Sequence, residues 1–224
     1  MPPAITSTPE YASLREKERA RRDGWPQPFR LRVHRAVSWL GRAEQMVDDT
    51  DIAFILLWIA VNAAYADLQD VEALDERGLF ARFAGDLVGF DGAHRIYETV
   101  WGRFSQEIRL LLDNRFVFRP FWDHHNSGGA VAGDWRQRLE RERRRVHRAL
   151  KEEETAVILV HLFNRLYVLR NQIVHGGATW GSSANRAQVK DGARVLGRLA
   201  PVFVDVMMDH PDHDWGRPAY PVVD

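Results

Sequence analysis

Apolar residues recur every three or four positions along most of this chain, which is the spacing of an amphipathic α-helix. The helical pattern begins at Phe29, where Phe29, Val33, Val37, Leu40 and Val47 fall near one helical face. A basic helix is predicted over 134–150, a long helix over 151–175 that two glycines end, and a last helix over 185–209. No segment alternates apolar and polar residues long enough to indicate a sheet, so the pattern predicts an all-α fold.

The segment 51–69 is apolar on nearly all sides, as expected for a helix at the centre of a domain. The acidic run 48–51 supplies candidates for its N-cap. Its most apolar part, 52–66, spans about 15 residues and contains Asn62, whereas a membrane-spanning helix needs about 20 apolar residues. We therefore expect a buried core helix and no contact with a membrane.

Breaks in the pattern divide the rest of the chain. Four glycines punctuate 71–112, which predicts several short helices there. The aromatic segment 114–122 is interrupted by Pro120. The segment 123–129, with its two histidines and two glycines, is predicted as an exposed loop.

Three regions follow from these elements. Residues 1–28 are predicted as an N-terminal segment, disordered at first and then a short surface helix over 11–22. Residues 29–210 are predicted as a single helical domain. Residues 211–224 are predicted as an extended tail that packs against that domain.

The composition limits the functions that this chain can have. Its 224 residues include 31 Lys and Arg and 31 Asp and Glu, so any nucleic-acid site must be a local patch. The absence of cysteine excludes disulfides, thiolate nucleophiles and thiolate metal sites. No basic segment followed by an apolar one opens the chain, so we expect no signal peptide and a cytoplasmic location.

The end of the long predicted helix carries the residues with the clearest chemistry: Arg170, Asn171 and His175, followed by Gly176 and Gly177. Cleaving RNA without a metal requires a deprotonated 2′-hydroxyl, a stabilised phosphorane and a protonated leaving oxygen. Histidine transfers protons near neutral pH, and arginine binds phosphate through a planar, permanently charged fork. Asparagine can orient either the imidazole or the phosphate.

Helical spacing sets how these side chains can meet. Asn171 and His175 are four residues apart and share a face. Arg170 lies five residues from His175, about 140° around an ideal helix. Convergence therefore requires that Arg170 reach around, that the helix end distort, or that a second copy of the chain complete the site. The alternative is that Arg170 and Asn171 are surface residues and His175 only caps the helix.

The segment from Leu169 to Gly176 resembles the Arg-x4-His signature of the HEPN superfamily, in its Apea-like or related bacterial branches. The resemblance covers about residues 30–209 and implies an all-α HEPN-like helical bundle, with additional short helices and an extended tail. It also implies homodimers that meet through the motif helix. Many members belong to toxin–antitoxin or defence systems, which makes an antitoxin or a nucleotidyltransferase an expected partner.

HEPN members are often endoribonucleases that need no metal or other cofactor. By this resemblance Arg170 would bind the scissile phosphate, His175 would transfer protons and Asn171 would orient them. Some members have lost catalysis, so the alternative is a module that binds RNA, a nucleotide or a protein partner. The prediction is a metal-independent endoribonuclease with its site at a dimer interface.

Two other features have a functional and a structural interpretation. On the basic helix, one face carries Arg138, Arg141, Arg145 and Arg148. This face either follows an RNA backbone or is a solvated surface paired with Glu140, Glu142 and 152–154. The aromatic residues Phe116, Phe118, Phe121 and Trp122 could stack on bases, but such a group more often anchors a loop to the core.

Overall fold

The computed structural model describes residues 10–67, 76–103, 105–130, 134–218 and 220–221. Within these residues the chain forms ten α-helices and no β-strand, which confirms the all-α prediction for this part of the chain. The predicted disordered segment, residues 1–9, lies outside them. The helices are α1 (Tyr11–Arg21), α2 (Gln27–Glu44), α3 (Thr50–Tyr65), α4 (Glu76–Phe90), α5 (Arg95–Glu98), α6 (Ser105–Asp113), α7 (Arg119–Asn126), α8 (Trp135–Lys151), α9 (Thr155–Val174) and α10 (Arg186–Asp209). Short 3-10 turns cover Arg22–Gly24 and Arg115–Val117, and a π-helical turn covers Thr99–Arg103.

Helix α3 is the centre of the bundle, as its composition predicts, and it packs mainly between α2 and α10. Its N-cap is Asp49, whose carboxylate accepts a hydrogen bond from the backbone N–H of Ile52 at 3.0 Å. At its other end the buried guanidinium of Arg32 donates to the carbonyls of Ala63 and Ala64, at 3.3 and 2.8 Å. Both ends of the central helix are therefore satisfied by side chains.

Helix α9 brings the predicted motif to the surface from inside the core. Leu162, Leu166 and Leu169 are buried along it. Phe163 stacks on Trp58 of α3, with ring centroids 4.7 Å apart. The helix starts at Thr155, later than predicted, because α8 runs on through Lys151 and Glu153 turns the chain with a positive φ of 55°.

One sequence prediction is wrong, and the prediction of several short helices in 71–112 holds only in part. Residues 123–126 belong to α7 and are not a loop. Pro120 lies in the first turn of that helix, where its missing N–H costs no hydrogen bond. Residues 76–90 form one continuous helix, although Gly85 and Gly89 lie inside it. Burial of its apolar face outweighs the poor helix propensity of glycine.

A small second apolar cluster joins α7 to α8. It consists of Phe118, Phe121, Trp135 and Leu139, with the half-buried Trp122 against it. Phe121 meets Trp135 edge to face at 5.0 Å. This cluster is separate from the main core, so α7 is held through its own contacts.

Ion pairs and the tail close the opposite end of the bundle. Lys17 of α1 lies 2.6 Å from Asp205 and 2.7 Å from Asp209 of α10, and Arg95 pairs with the same two carboxylates. In the tail, Trp215 is buried and Tyr220 is exposed. No helix in the described part of the chain is both long and apolar enough to span a bilayer.

Candidate functional site

A cavity of about 560 Å³ opens between the end of α9, helix α7 and the start of α10. Two of the three predicted catalytic residues, Asn171 and His175, line it. The other lining residues are Arg119, Trp122, Asp123, Asn126, Val168, Gln172, Gly177 and Asn185. The spacing argument that placed Asn171 and His175 on one face is thus confirmed.

His175 is fixed by the way α9 ends. It is the C-cap residue, and its backbone N–H donates to the carbonyl of Asn171 at 3.0 Å. Gly176 follows with a φ of 71°, and Gly177 N–H donates to the carbonyl of Gln172 at 2.6 Å, which together form a Schellman motif. This turn leaves the His175 side chain exposed at the cavity.

Asn171 is oriented by its neighbour in sequence. Arg170 Nη1 donates to Asn171 Oδ1 at 3.0 Å. Because a guanidinium only donates hydrogen bonds, this contact assigns the carboxamide oxygen to the Arg170 side. The Nδ2 group is then the hydrogen-bond donor that Asn171 can present to a ligand in the cavity.

Arg170 lies behind this pair and is not among the residues that line the cavity. Its guanidinium lies 5.3 Å from the ring centroid of Trp58 and 5.0 Å from that of Tyr167. Such cation–π contacts hold the planar group in place. Within one copy of the chain, Arg170 therefore supports Asn171, and the predicted convergence of Arg170 with His175 in a cleft shared by two copies stays a prediction.

The cation that does line the cavity is Arg119, which the sequence analysis missed. It is the first residue of α7 and is exposed, and its Nε lies 3.4 Å from Asp123 Oδ1. Arg119, Trp122 and Asn126 are spaced three and four residues apart, so they share one face of α7, and Trp122 lies at its edge, where it also contacts the buried Phe121. The sequence would have indicated this face only if residues 119–126 had been predicted as a helix.

Hydrogen bonds build a continuous wall on one side of the cavity. The carbonyl of Phe116 accepts from Trp122 Nε1 at 2.7 Å and from Gln172 Nε2 at 2.6 Å. Gln172 Oε1 in turn accepts from Asn185 Nδ2 at 2.8 Å. The four groups belong to three separate parts of the chain, so these bonds fix α7 and the start of α10 against the motif helix.

The loop after the motif is anchored on the N-terminus of α3. Trp180 Nε1 donates to Asp49 Oδ2 at 3.0 Å, and Asp51 accepts from Gly181 N–H at 3.0 Å and pairs with Arg186 at 2.8 Å. The hydrogen bond from Ile52 N–H, with a further one from Trp180, lowers the pKa of Asp49. The carboxylates that start the central helix thus also hold the loop that follows His175.

The basic face of α8 lies on the surface. Arg138, Arg141, Arg145 and Arg148 are all exposed.

Two of the acids expected to neutralise that face make contacts with other side chains. Glu142 pairs with the buried Arg165 at 2.9 Å and with His161 at 3.3 Å. Burial lowers the pKa of Arg165, and Glu142 opposes that shift. Glu140 pairs with Arg143 at 2.7 Å. Because these two glutamates pair elsewhere, they neutralise the exposed arginines of α8 less than the sequence suggests.

Comparisons with protein-family models, with curated proteins and with solved structures found no match to this chain. Among the described residues, no group of three or more His, Asp and Glu side chains is placed to hold a metal ion. The resemblance to HEPN proteins therefore rests on the motif residues themselves.

Proposed function

We propose that this protein is an endoribonuclease that cuts RNA without a metal ion, with His175 and Asn171 at its reacting centre. The observation that supports this most is the shared cavity, in which an exposed imidazole, an oriented carboxamide and the guanidinium of Arg119 line one space. These groups supply one of the two proton transfers that the reaction needs, a donor that stabilises the phosphorane and a cation that binds the phosphate.

The reaction is an internal transfer at phosphorus. The 2′-oxygen attacks the adjacent phosphorus as its proton passes to a base, and the bond from phosphorus to the 5′-oxygen breaks as that oxygen takes a proton. The products are a 2′,3′-cyclic phosphate and a 5′-hydroxyl, and no water is consumed. His175 performs one proton transfer, Asn171 Nδ2 donates to a phosphorane oxygen, and Arg119 binds the negative charge.

Arg170 acts in this proposal as a positioning residue. It keeps Asn171 Oδ1 engaged, and this leaves Nδ2 for the substrate. A homodimer that brings two motif helices together would add a second His175, which could perform the other proton transfer. Arg138, Arg141, Arg145 and Arg148 would bind the RNA backbone beyond the cavity. A role in toxin–antitoxin or defence systems rests on the resemblance alone.

The decisive experiment is cleavage of labelled RNA in EDTA by the wild type, by His175→Ala and by His147→Ala. His147 is also an exposed histidine, on α8, and does not line the cavity. We expect cleavage with cyclic phosphate ends for the wild type and His147→Ala, and a loss of about 100-fold or more for His175→Ala. Equal cleavage by all three proteins, or none by the wild type, would contradict catalysis.

One observation favours the second candidate, a module that only binds RNA or a nucleotide. Among the described residues that line the cavity, His175 is the one imidazole, and a full reaction needs two proton transfers. In this case the wild type would bind RNA without cutting it, and His175→Ala would bind nearly as well. Binding and cleavage measured on the same preparations separate the two candidates.

A further inference from the structure

Helix α7 contributes a cation and an aromatic ring to the cavity, one turn apart on the same face. Arg119 and Trp122 both line the cavity, although neither belongs to the motif. The cavity volume of about 560 Å³ lies within the usual range of about 300–1,000 Å³ for small-molecule sites. A nucleotide, with one flat ring system and one charged phosphate, is a ligand that fits this combination of groups.

Contacts within the chain fix the aromatic part of this wall. Trp122 Nε1 donates to the carbonyl of Phe116 at 2.7 Å, and its ring meets Phe121 edge to face at 5.1 Å. Gln172 Nε2 donates to the same carbonyl at 2.6 Å, which links this wall to α9. A ring fixed in this way loses little side-chain freedom when a base stacks on it.

The charged part of the wall selects the kind of phosphate. The carboxylate of Asp123 lies 3.4 Å from Arg119 Nε and lines the same cavity. A guanidinium has five N–H donors, so those of the two Nη atoms remain for a phosphate oxygen. Asp123 offsets the attraction of Arg119 for a second negative charge, so a terminal phosphate dianion gains no advantage over the single charge of a phosphodiester. The pair thus accepts a phosphate inside a chain.

From these contacts we infer that Arg119 and Trp122 form a nucleotide subsite, which takes one unstacked nucleotide of an RNA strand through its phosphodiester and its base. This inference rests on the proposed function, because the phosphodiester that Arg119 binds is the one that His175 acts on. The bases of an intact duplex are stacked on each other and cannot reach Trp122. Single strands and loops are therefore the substrates that this subsite admits.

The test measures binding of a labelled 2′-O-methyl RNA strand, which cannot be cut because its 2′-oxygens are blocked. We compare the wild type with Arg119→Gln and Trp122→Leu, using fluorescence anisotropy. The matched controls are Arg136→Gln and Trp39→Leu, which change an exposed arginine and an exposed tryptophan outside the cavity. Removing one stacked base or one bond to a phosphate weakens binding about tenfold or more.

We expect each cavity variant to bind at least about tenfold more weakly and each control to bind as the wild type does. A dinucleoside monophosphate should compete better than a mononucleotide or inorganic phosphate, and duplex RNA should compete poorly. Unchanged binding by Arg119→Gln, or equal binding of duplex and single strand, would overturn the inference. Since Arg119 is exposed, its substitution leaves the core intact, and its result decides the matter even if Trp122→Leu fails to fold.

The outcome is separable from that of the proposed function. If the wild type cuts RNA and Arg119→Gln cuts and binds equally well, the subsite and the role of Arg119 in the reaction are refuted, and cleavage that depends on His175 stands. If the wild type does not cut, but the blocked strand binds through Arg119 and Trp122, the subsite stands and the nuclease proposal fails.

Discussion

At the scale of single residues, the carboxamide of Asn171 is the group whose direction matters most. Its oxygen is held by Arg170, so its nitrogen is the atom that can donate into the cavity. This orientation depends on a contact between consecutive residues, and the rings of Trp58 and Tyr167 hold the guanidinium that makes it. A change of one atom at this position should therefore act on the ligand and leave the helix unaffected.

Asn171→Asp tests that role. The carboxylate keeps the contact with Arg170, but it replaces the donor with an acceptor and adds a negative charge to the cavity. We expect binding of the blocked RNA strand to weaken about tenfold or more, because a donor is removed and a charge repels the phosphate. The control, Asn164→Asp, makes the same change on α9 away from the cavity. This variant should bind the RNA strand within about twofold of the wild type. Equal weakening in both variants would argue against the role of Asn171.

Sequence predicted half of the candidate site. The four-residue spacing placed Asn171 and His175 together, and the paired glycines predicted the end of the helix that exposes His175. Arg119 could not be found in this way. Its place in the cavity depends on the 3-10 turn before α7, where Phe116 accepts a hydrogen bond from Gln172 of α9, a tertiary contact that local spacing does not encode.

At the scale of elements, the exposed arginines of α8 predict a measurable salt dependence. We expect a flatter plot of the log affinity for RNA against the log salt concentration when four arginines are all changed to glutamine: Arg138, Arg141, Arg145 and Arg148. For a single strand, the slope falls by about 0.7 for each phosphate that the protein no longer neutralises.

The control for that variant changes four exposed arginines of α1, α2 and the turn between them: Arg19, Arg22, Arg30 and Arg42. It has the same net charge as the α8 variant. If both variants flatten the plot equally, RNA responds to the total charge of the protein and does not bind the α8 face.

Helix packing gives a second prediction at this scale, from two glycines of α10. A Cβ at Gly192 would lie 3.0 to 3.1 Å from Phe54, Leu166 and Leu169, whereas one at Gly197 would make an ordinary contact of 3.7 Å with Leu57. Both alanine variants gain helix propensity, but only Gly192→Ala crowds α3 and α9. We expect Gly192→Ala to be less stable than Gly197→Ala by about 1–2 kcal/mol in urea unfolding. Equal stability would mean that the crossing is not tightly packed.

The ends of some helices could be predicted from the sequence, and those of others could not. The bounds of α8 and α10 were predicted within a residue or two, because each has strong periodicity and a polar residue before it. The continuous helix 76–90 was not predicted, since its glycines have a poor propensity that only burial against α9 overcomes. The break at Glu153 was missed because a positive φ at a non-glycine residue leaves no pattern in the sequence.

At the scale of the whole molecule, charge pairs join the first helix to the last. Asp209 is partly buried, which alone would raise its pKa, but the hydrogen bond and charge of Lys17 and the charge of Arg95 outweigh this and lower it. A carboxyl whose pKa is lower in the folded state adds stability above its unfolded pKa, and that stability disappears as the pH falls through the folded pKa.

Acid should therefore loosen this end of the bundle below about pH 4. We expect Asp209→Asn to remove part of the fall in the free energy of unfolding in urea between pH 6 and pH 3. The part removed should be less than about 1 kcal/mol because the group is a third exposed. Asp212→Asn, at an exposed neighbouring carboxylate, should keep the wild-type profile. An identical fall in all three proteins would show that Asp209 does not contribute.

The separate cluster of Phe118, Phe121, Trp135 and Leu139 has a consequence for how ligands enter. Because α7 shares little with the main core, it can open locally while the central helices stay folded. Backbone amides of α7 should then exchange with deuterium faster than those in the middle of α9. Bound RNA should slow that exchange selectively, so hydrogen exchange would reveal occupancy of the cavity without any chemical turnover.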